Sequence, residues 1–362
     1  MNLSFTKVAV SLSTFLFLSI CSWAQITLNS SDLPQGGTTY TLQESTPDPL
    51  QDYSTTGAGV VWDFTDLGST AEVSISIGNI DNAPMLAQLV FNEPFMSADY
   101  VSDIYSPGDL PEISEMELDL PIEASGFYNY YQTSGSSYNI AGLSIGAQGI
   151  DFPVPFDDID EIHPLPLNYG DDINSTYDFT IEIPTMFSYH ASGTRTGSVD
   201  GWGTLNLPNG DSHEVIRLAT TIESSDVITP EGMEEMSFDY ELTVYQWLGD
   251  GGLPYLEVES AFGVPFRVRY QGTPDSNTES VEEALQHRVN IFPNPANTGS
   301  NINLQGFDSN STWEVRNAAG QICQTGQGPI LNTDNLMSGA YMLIQRTSTK
   351  GQLSRPTLFV VK

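Results

Sequence analysis

The chain is poor in cysteine, histidine and basic residues. Of its 362 residues, two are cysteine, four are histidine and eleven are lysine or arginine. Cys21 lies beside an N-terminal apolar stretch, and removal of that stretch leaves Cys323 alone. No intramolecular disulfide can then form, and packing must supply the stability. The histidines show no His-x-x-x-His spacing, so no transition-metal ligand set is legible. Eleven bases against 46 acids give a formal charge of −35. Such a surface repels DNA, RNA and anionic lipid, which excludes nucleic-acid binding. Long apolar runs are missing too. Val8 to Ile20 spans thirteen residues, short of the ~20 that a spanning helix needs, and no later segment comes closer. No transmembrane segment is expected in the mature chain.

The N-terminus has the parts of a secretory signal: Lys7, the apolar run, then Ser22-Trp23-Ala24 with small residues at −3 and −1. The reading is a signal peptide over 1–24 and a mature start at Gln25. Ile20 before Cys21 fits lipid attachment poorly. From Gln286 onward the bases Arg288, Arg316, Arg346, Lys350, Arg355 and Lys362 outnumber the acids Asp308, Glu314 and Asp334. The other 43 acids fall in 25–285, where the only bases are Arg195, Arg217, Arg267 and Arg269. A change of charge sign on this scale marks a module boundary.

Period-2 alternation dominates, the signature of half-buried strands. It is clearest in "AEVSISI" (Val73, Ile75, Ile77), "YDFTIEI" (Tyr177, Phe179, Ile181, Ile183), "MSFDYELTV" and "VPFRVRY". In the last run Arg267 and Arg269 are expected on the wetter face. "PNGD" at 208–211 and "GDGG" at 249–252 supply turns. "YQWLGDGGLPYLEVES" reads as a hairpin with its tip at Asp250-Gly251. The best helical signal is "SVEEALQHR", with Ser280 and Glu283 as a capping box. The expected organisation is an acidic all-β body over 25–271, an antiparallel sandwich or strongly curved sheet. It is one domain, or two with a break near 106–115. A linker over 272–288 and a small Ig-like β-sandwich over 289–362 follow.

In the last module Val289 and Ile291 alternate, and Pro293 and Pro295 end the strand because proline lacks a ladder donor. "INL", "WEVRN", "ICQTG", "AYMLIQ" and "TLFVV" give further short strands, with Gly320 and Gly339 at turns that admit positive φ. The order "VNIFPNPA", "WEVRNAAGQIC", "LMSGAYMLIQ" and a terminal "LFVVK" resembles the type IX secretion system C-terminal sorting domain. The matching positions are Val289, Ile291, Pro293, Asn294, Pro295, Gly320, Gly339, Tyr341, Phe359, Val361 and Lys362. The family pattern is departed from at Pro356, close to the final strand. The resemblance implies a Gram-negative source of the Bacteroidetes type and recognition by the type IX machinery. It also implies transport across the outer membrane, with the cargo attached to the cell surface or released. A tag of this kind must fold alone and remain separable from its cargo, which a small sandwich after a polar linker satisfies.

Each candidate for chemistry in the body has a plainer reading beside it. "GLSIG" matches Gly-x-Ser-x-Gly around Ser144, but a nucleophile elbow needs a following helix. The next residues, with Gly149, Pro153 and Pro155, cannot form one; a sheet segment is expected. His163 precedes two prolines in what reads as an extended loop, His190 ends a strand, and His213 follows a turn. "DDIDEIH" offers Asp157, Asp158, Asp160 and Glu161 as calcium candidates, with Asp171 and Asp172 ten residues on. Calcium takes six to eight oxygens and loop carboxylates supply them; a solvated acidic loop is the plainer reading. Trp62, Trp202, Trp247 and "FYNYYQ" (127–132) could stack on sugars or fill a core. The body is also similar, through "PLNYGDD", "VDGWGTLNLPNG" and "TTGAGVVWDF", to other sorting-tagged secreted proteins of unassigned role. The functional expectation is a secreted, non-enzymatic binding or structural module for a glycan or surface protein, with no cofactor unless calcium. The alternative is a secreted hydrolase of polysaccharide or another polymer.

Overall fold

The structure is a computed structural model and describes residues 26–48, 51–92, 97–108, 124–147, 149–183, 187–232, 234–272, 289–307, 311–317, 321–346 and 357–362. The signal segment, residues 109–115 of the stretch weighed as a domain break, and residues 273–288 with their helical signal lie outside them, as do Gly320 and Pro356.

As the alternation predicts, the chain is nearly all β. The body strands are β1 (Thr39–Ser45), β2 (Gly57–Asp63), β3 (Ala71–Ser76), β4 (Gly78–Asn79), β5 (Ile104–Pro107), β6 (Ala124–Thr133) and β7 (Ser137–Ala147). They continue as β8 (Ile150–Pro164), β9 (Asp172–Ile183), β10 (Phe187–Asn206), β11 (Ser212–Pro230), β12 (Met236–Leu248), β13 (Leu256–Ala261) and β14 (Val264–Gln271). From β5 to β14 each strand pairs antiparallel with the next in sequence, and β14 then meets β1, which pairs with β3. The strand twist accumulates across so many neighbours, and a sheet of more than ~10 strands curls rather than staying flat.

The curl returns to its own start. Residues Ala71–Asn79 hold both ends of the path: β3 pairs with β1, from Thr39↔Ser76 to Glu44↔Ala71, while β4 pairs with β5 at Gly78↔Tyr105 and Asn79↔Ile104. Between them Ile77 donates to Thr38 O (2.9 Å) and accepts from Gly37 N (2.7 Å). The sheet has one thin seam, where β8 and β9 join through the single pair Asp158↔Asp178.

One strand breaks the antiparallel rule. β9 reaches only as far as Asp172↔Ser198 along β10, and from Gly201 to Asn206 β2 runs parallel along the edge that β9 leaves. A Cβ on Gly203 would lie 1.9 Å from the Val60 carbonyl oxygen, so this approach requires glycine. β2 and the segments on either side of it lay Tyr53, Trp62, Phe64 and Leu67 over Leu205, Val215, Trp247, Leu256, Val258, Val268 and Tyr270 as one buried cluster. A second cluster joins Tyr138, Leu165, Leu167, Ile173, Val199, Ile216, Leu218 and Leu248.

One local expectation is corrected here. "DDIDEIH" is not a loop: it is the middle of β8. Arg267 and Arg269 lie, as expected, on the less buried face of β14, opposite the buried Val268 and Tyr270. They are largely covered, and their guanidinium groups meet Glu259 and Glu44. A short helix, α1 (Met85–Phe91), packs Ala87, Val90 and Phe91 against Tyr130.

Among its described residues the C-terminal module has seven strands: β15 (Asn290–Phe292), β16 (Asn301–Gln305), β17 (Thr312–Asn317), β18 (Ile322–Gln327), β19 (Ile330–Asn332), β20 (Gly339–Arg346) and β21 (Thr357–Val361). They form sheets β15-β16-β19 and β18-β17-β20-β21. The two face each other over Val289, Ile291, Ile302, Leu304, Trp313, Val315, Leu331, Tyr341, Leu343, Phe359 and Val361. This is the small sandwich that the sequence announces.

Candidate functional site

The carboxylates of β8 are not brought to one point. Asp157 and Asp158 are exposed, whereas Asp160 is 4% exposed and held by Arg195 through Nε–Oδ1 (2.9 Å) and Nη2–Oδ2 (2.6 Å). Glu161 is half-buried, and its carbonyl accepts from Ser175 Oγ at 2.8 Å. Asp171 accepts from the Asn168 backbone N–H (2.7 Å) and braces a turn, and Asp172 opens β9 in solvent. Among the described residues, no three His, Cys, Asp or Glu side chains are grouped as a metal site.

Asp158 instead borders an open trough of about 690 Å³ on the outside of β8–β12. Strand register sets its pattern. One rung crosses five strands as Asp158↔Asp178, Asp178↔Ser192, Ser192↔Ser225 and Ser225↔Asp239. The next rung crosses four as Thr176↔Thr194, Thr194↔Glu223 and Glu223↔Glu241. Cross-strand partners share a face, so carboxylates flank a pair of serine hydroxyls in one row and follow a pair of threonine hydroxyls in the other, the rows roughly 7 Å apart along the strands. Thr176 Oγ1 donates to Asp158 (2.5 Å), and His190 Nε2 lies 3.2 Å from Asp178. Gly193 lines the trough too. A Cβ there would meet the Tyr177 ring at 2.6 Å, so glycine lets that ring close against β10.

The lining contains no lysine or arginine among the described residues. The reason lies elsewhere in the fold, because all four body arginines are committed. Arg195 binds Asp160, Arg217 binds Asp200 (2.5 Å), Arg267 binds Glu259 and Arg269 binds Glu44 (3.1 Å). Arg217 is 1% exposed, lies over the Tyr245 ring (4.5 Å) and donates to the Tyr53 carbonyl (2.6 Å). Beside the trough, Asp226 is fully buried and accepts from Ser224 and Tyr189. Burial pushes its carboxyl up to about 6 despite those donors.

The other sequence candidates prove structural. Ser144 lies inside β7, 0% exposed, its Oγ in a 2.9 Å hydrogen bond with Tyr130 Oη. No turn presents it as an elbow would. His163 is in β8 rather than a loop, 3% exposed beside the Tyr138 ring, and burial pushes it down to about 4. His190 sits near the start of β10, not at a strand end. His213 stacks on Tyr255 at 3.7 Å. Trp62 and Trp247 are buried edge-to-face (6.1 Å), and Trp202 packs against the second cluster. The tryptophans are core, not a platform. Sequence reasoning missed the trough, since its residues are up to 83 positions apart in the chain (Asp158 to Glu241) and only strand register gathers them.

In the C-terminal module the motif residues meet each other. β15 stops at Phe292, directly before Pro293. Asn294 then acts as a strand in miniature: its Oδ1 accepts from Val360 N (2.9 Å) and its Nδ2 donates to Leu358 O (3.3 Å). Past Pro295 the backbone continues the pairing, with Ala296 N to Val360 O (2.9 Å), Lys362 N to Ala296 O (2.8 Å) and Thr298 N to Lys362 O (3.0 Å). Tyr341 and Phe359 are cross-strand partners with ring centroids 5.7 Å apart, and Tyr341 Oη donates to Met337 O (2.9 Å). Gly339 pairs with Val361 and Lys362 is exposed.

The result is a small sandwich with a core of its own, its entry turn sewn to the chain terminus. Residues 290–357 match the family described as the secretion system C-terminal sorting domain. The segment is a type IX sorting domain, and it directs export across the outer membrane to the cell surface or extracellular space. No curated protein matches the chain. Among solved structures it is similar, at 10% identity and a TM-score of 0.18, to one described as PorZ, an essential bacterial surface component of the type-IX secretion system of Porphyromonas gingivalis. That likeness covers 72% of this chain and spans 58% of the other, and at such a score it carries no argument.

Proposed function

We propose that the exported body is a non-enzymatic binding module that holds a hydroxyl-rich polymer, a polysaccharide, along the trough of β8–β12. The observation that carries this reading is the pair of rungs that sets the hydroxyls of Ser192, Ser225, Thr176 and Thr194 beside the carboxylates of Asp158, Asp178, Asp239, Glu223 and Glu241. Carboxylates accept from sugar hydroxyls, and the serine and threonine hydroxyls both donate and accept. Bonds to charged groups contribute about 1.5–3 kcal/mol each, so a few in register hold a chain. Where the polymer is itself anionic, calcium is the bridge proposed. The exposed Asp158 and Asp239 would supply some oxygens, with polymer and water supplying the rest.

The test is affinity electrophoresis of the full mature protein through gels cast with neutral and uronic-acid polysaccharides, with calcium and with chelator. Retardation in one gel, weakened about tenfold or about 1.4 kcal/mol by Asp178→Asn with Asp239→Asn, supports the trough. Passage through every gel at the control rate removes the polysaccharide reading. Release of reducing ends from a retarding polymer would replace it with the hydrolase alternative.

A further inference from the structure

β20 and β21 are apolar on both faces. Tyr341, Leu343, Phe359 and Val361 fill the sandwich, while Ala340, Met342, Ile344, Leu358 and Val360 point the other way and are 0–9% exposed. The outward set forms one continuous cluster with body residues, among them Phe187, Tyr189, Ile228, Phe262 and Val264, and β20 runs close to β12. The sequence itself requires such a cover. "AYMLI" and "LFVV" are unbroken apolar runs, the pattern of strands buried on two sides, whereas a strand with a solvated face alternates.

A second observation comes from the body side. β13 and β14 pair Ala261 with Val264, and the turn between them is Phe262-Gly263, with φ 52° and 71°. Two left-handed residues make the type I′ hairpin turn, for which Asn-Gly is the favoured sequence. Left-handed φ in a bulky residue is an outlier held in place by its surroundings. Phe262 is 2% exposed within the shared cluster. The backbone cost is offset by what its ring touches.

We propose that the sorting domain is clamped to the body through this apolar face, so that cutting the linker does not by itself release it. The occupant of the body's apolar surface is then the chain's own tail, retained as a non-covalent cap after cleavage. The outer face of β20–β21 is hidden in the intact chain, leaving the turn at Asn297–Gly299 and the terminal Lys362 as the accessible end of the tag.

The test uses the full mature chain with a specific protease site placed between Ser276 and Ser280. After complete cutting, the two fragments are expected to co-elute from a sizing column at physiological salt. Met342→Asp with Val360→Asp is expected to abolish co-elution. Those residues face away from the sandwich interior, and unchanged amide-exchange protection of Val315 and Leu331 checks that the tail remains folded. Phe262→Asn is the sharper variant, because asparagine suits the turn. The body's unfolding midpoint should hold or rise while the tail is lost. Separation of the unmodified fragments on cutting overturns the proposal, as does co-elution of Phe262→Asn with undiminished retention.

Discussion

Asn294 joins the two ends of the sorting domain by accepting from the backbone N–H of Val360 at 2.9 Å. The same amide donates to Leu358 O, so one side chain satisfies a donor and an acceptor on an otherwise uncapped strand edge. Aspartate keeps the acceptor and loses the donor; alanine loses both. Asn294→Ala is expected to cost the module about 1–3 kcal/mol by leaving buried backbone groups unpaired, and Asn294→Asp a similar amount. In cells both should shift protein from the medium or surface to the periplasm. Fractionation and immunoblotting read this directly, and wild-type export of both variants would show that the bridge is dispensable.

The Arg195–Asp160 pair is bidentate and mostly buried, which fixes the sign of each substitution. Arg195→Ala leaves Asp160 charged and enclosed, and is expected to lower stability by about 3–5 kcal/mol. Arg195→Met combined with Asp160→Leu should recover most of that loss, since no charge is then stranded. Urea midpoints of the two single variants and the double variant decide the matter. A double variant as weak as Arg195→Ala would refute the account.

Two buried groups push acid stability in opposite directions. Asp226 is raised to about 6 in the fold from 3.8, so stability grows as pH falls through that window. His163 is lowered to about 4 from 6.5, so stability is lost as pH falls from 6.5 toward 4. At pH 5 each contributes about 1–2 kcal/mol, with opposite signs. Asp226→Asn should therefore make the protein more acid-sensitive between pH 7.5 and 5, and His163→Gln less so. Thermal midpoints at the two pH values distinguish them, and parallel shifts in both variants would be inconsistent with the burial argument.

Trp247 is fully buried and meets Phe64 edge-on at 5.4 Å as well as Trp62. Trp247→Ala is expected to lower the unfolding free energy by about 3–5 kcal/mol while leaving polymer retardation of the folded fraction unchanged. A selective loss of retardation with normal stability would return the tryptophan to a binding role.

Much of the fold was legible because burial on one side writes itself as alternation. Tyr177, Phe179, Ile181 and Ile183, read as one face, are 8%, 9%, 0% and 4% exposed. The sorting domain was legible because its strands are short and its partners lie within seventy-odd residues. The second half of β8 was misread as a loop on account of its acids and of Pro164 and Pro166 after His163. Prolines are tolerated there because β8 meets β9 at a single pair, leaving most of one edge free of ladder bonds. Helix α1 shows Ala87, Val90 and Phe91 at helical spacing, but seven residues are too few to signal by themselves. The pairing of Arg269 was not legible because its partner, Glu44, lies 225 residues away. The ring closure at Ala71–Asn79 and the trough rungs are likewise products of register, and composition does not encode register.

The capture of all four body arginines has a consequence for crowded copies of this protein. None is more than 21% exposed at its side chain, so the outer surface of the described body offers neighbouring molecules charge of one sign only. Two bodies brought side by side begin to repel once they come within about a Debye length, about 8 Å at physiological ionic strength and about 3 Å in molar salt. Packing density at a surface thus becomes a function of the salt around it: sparse in fresh water, close in brine.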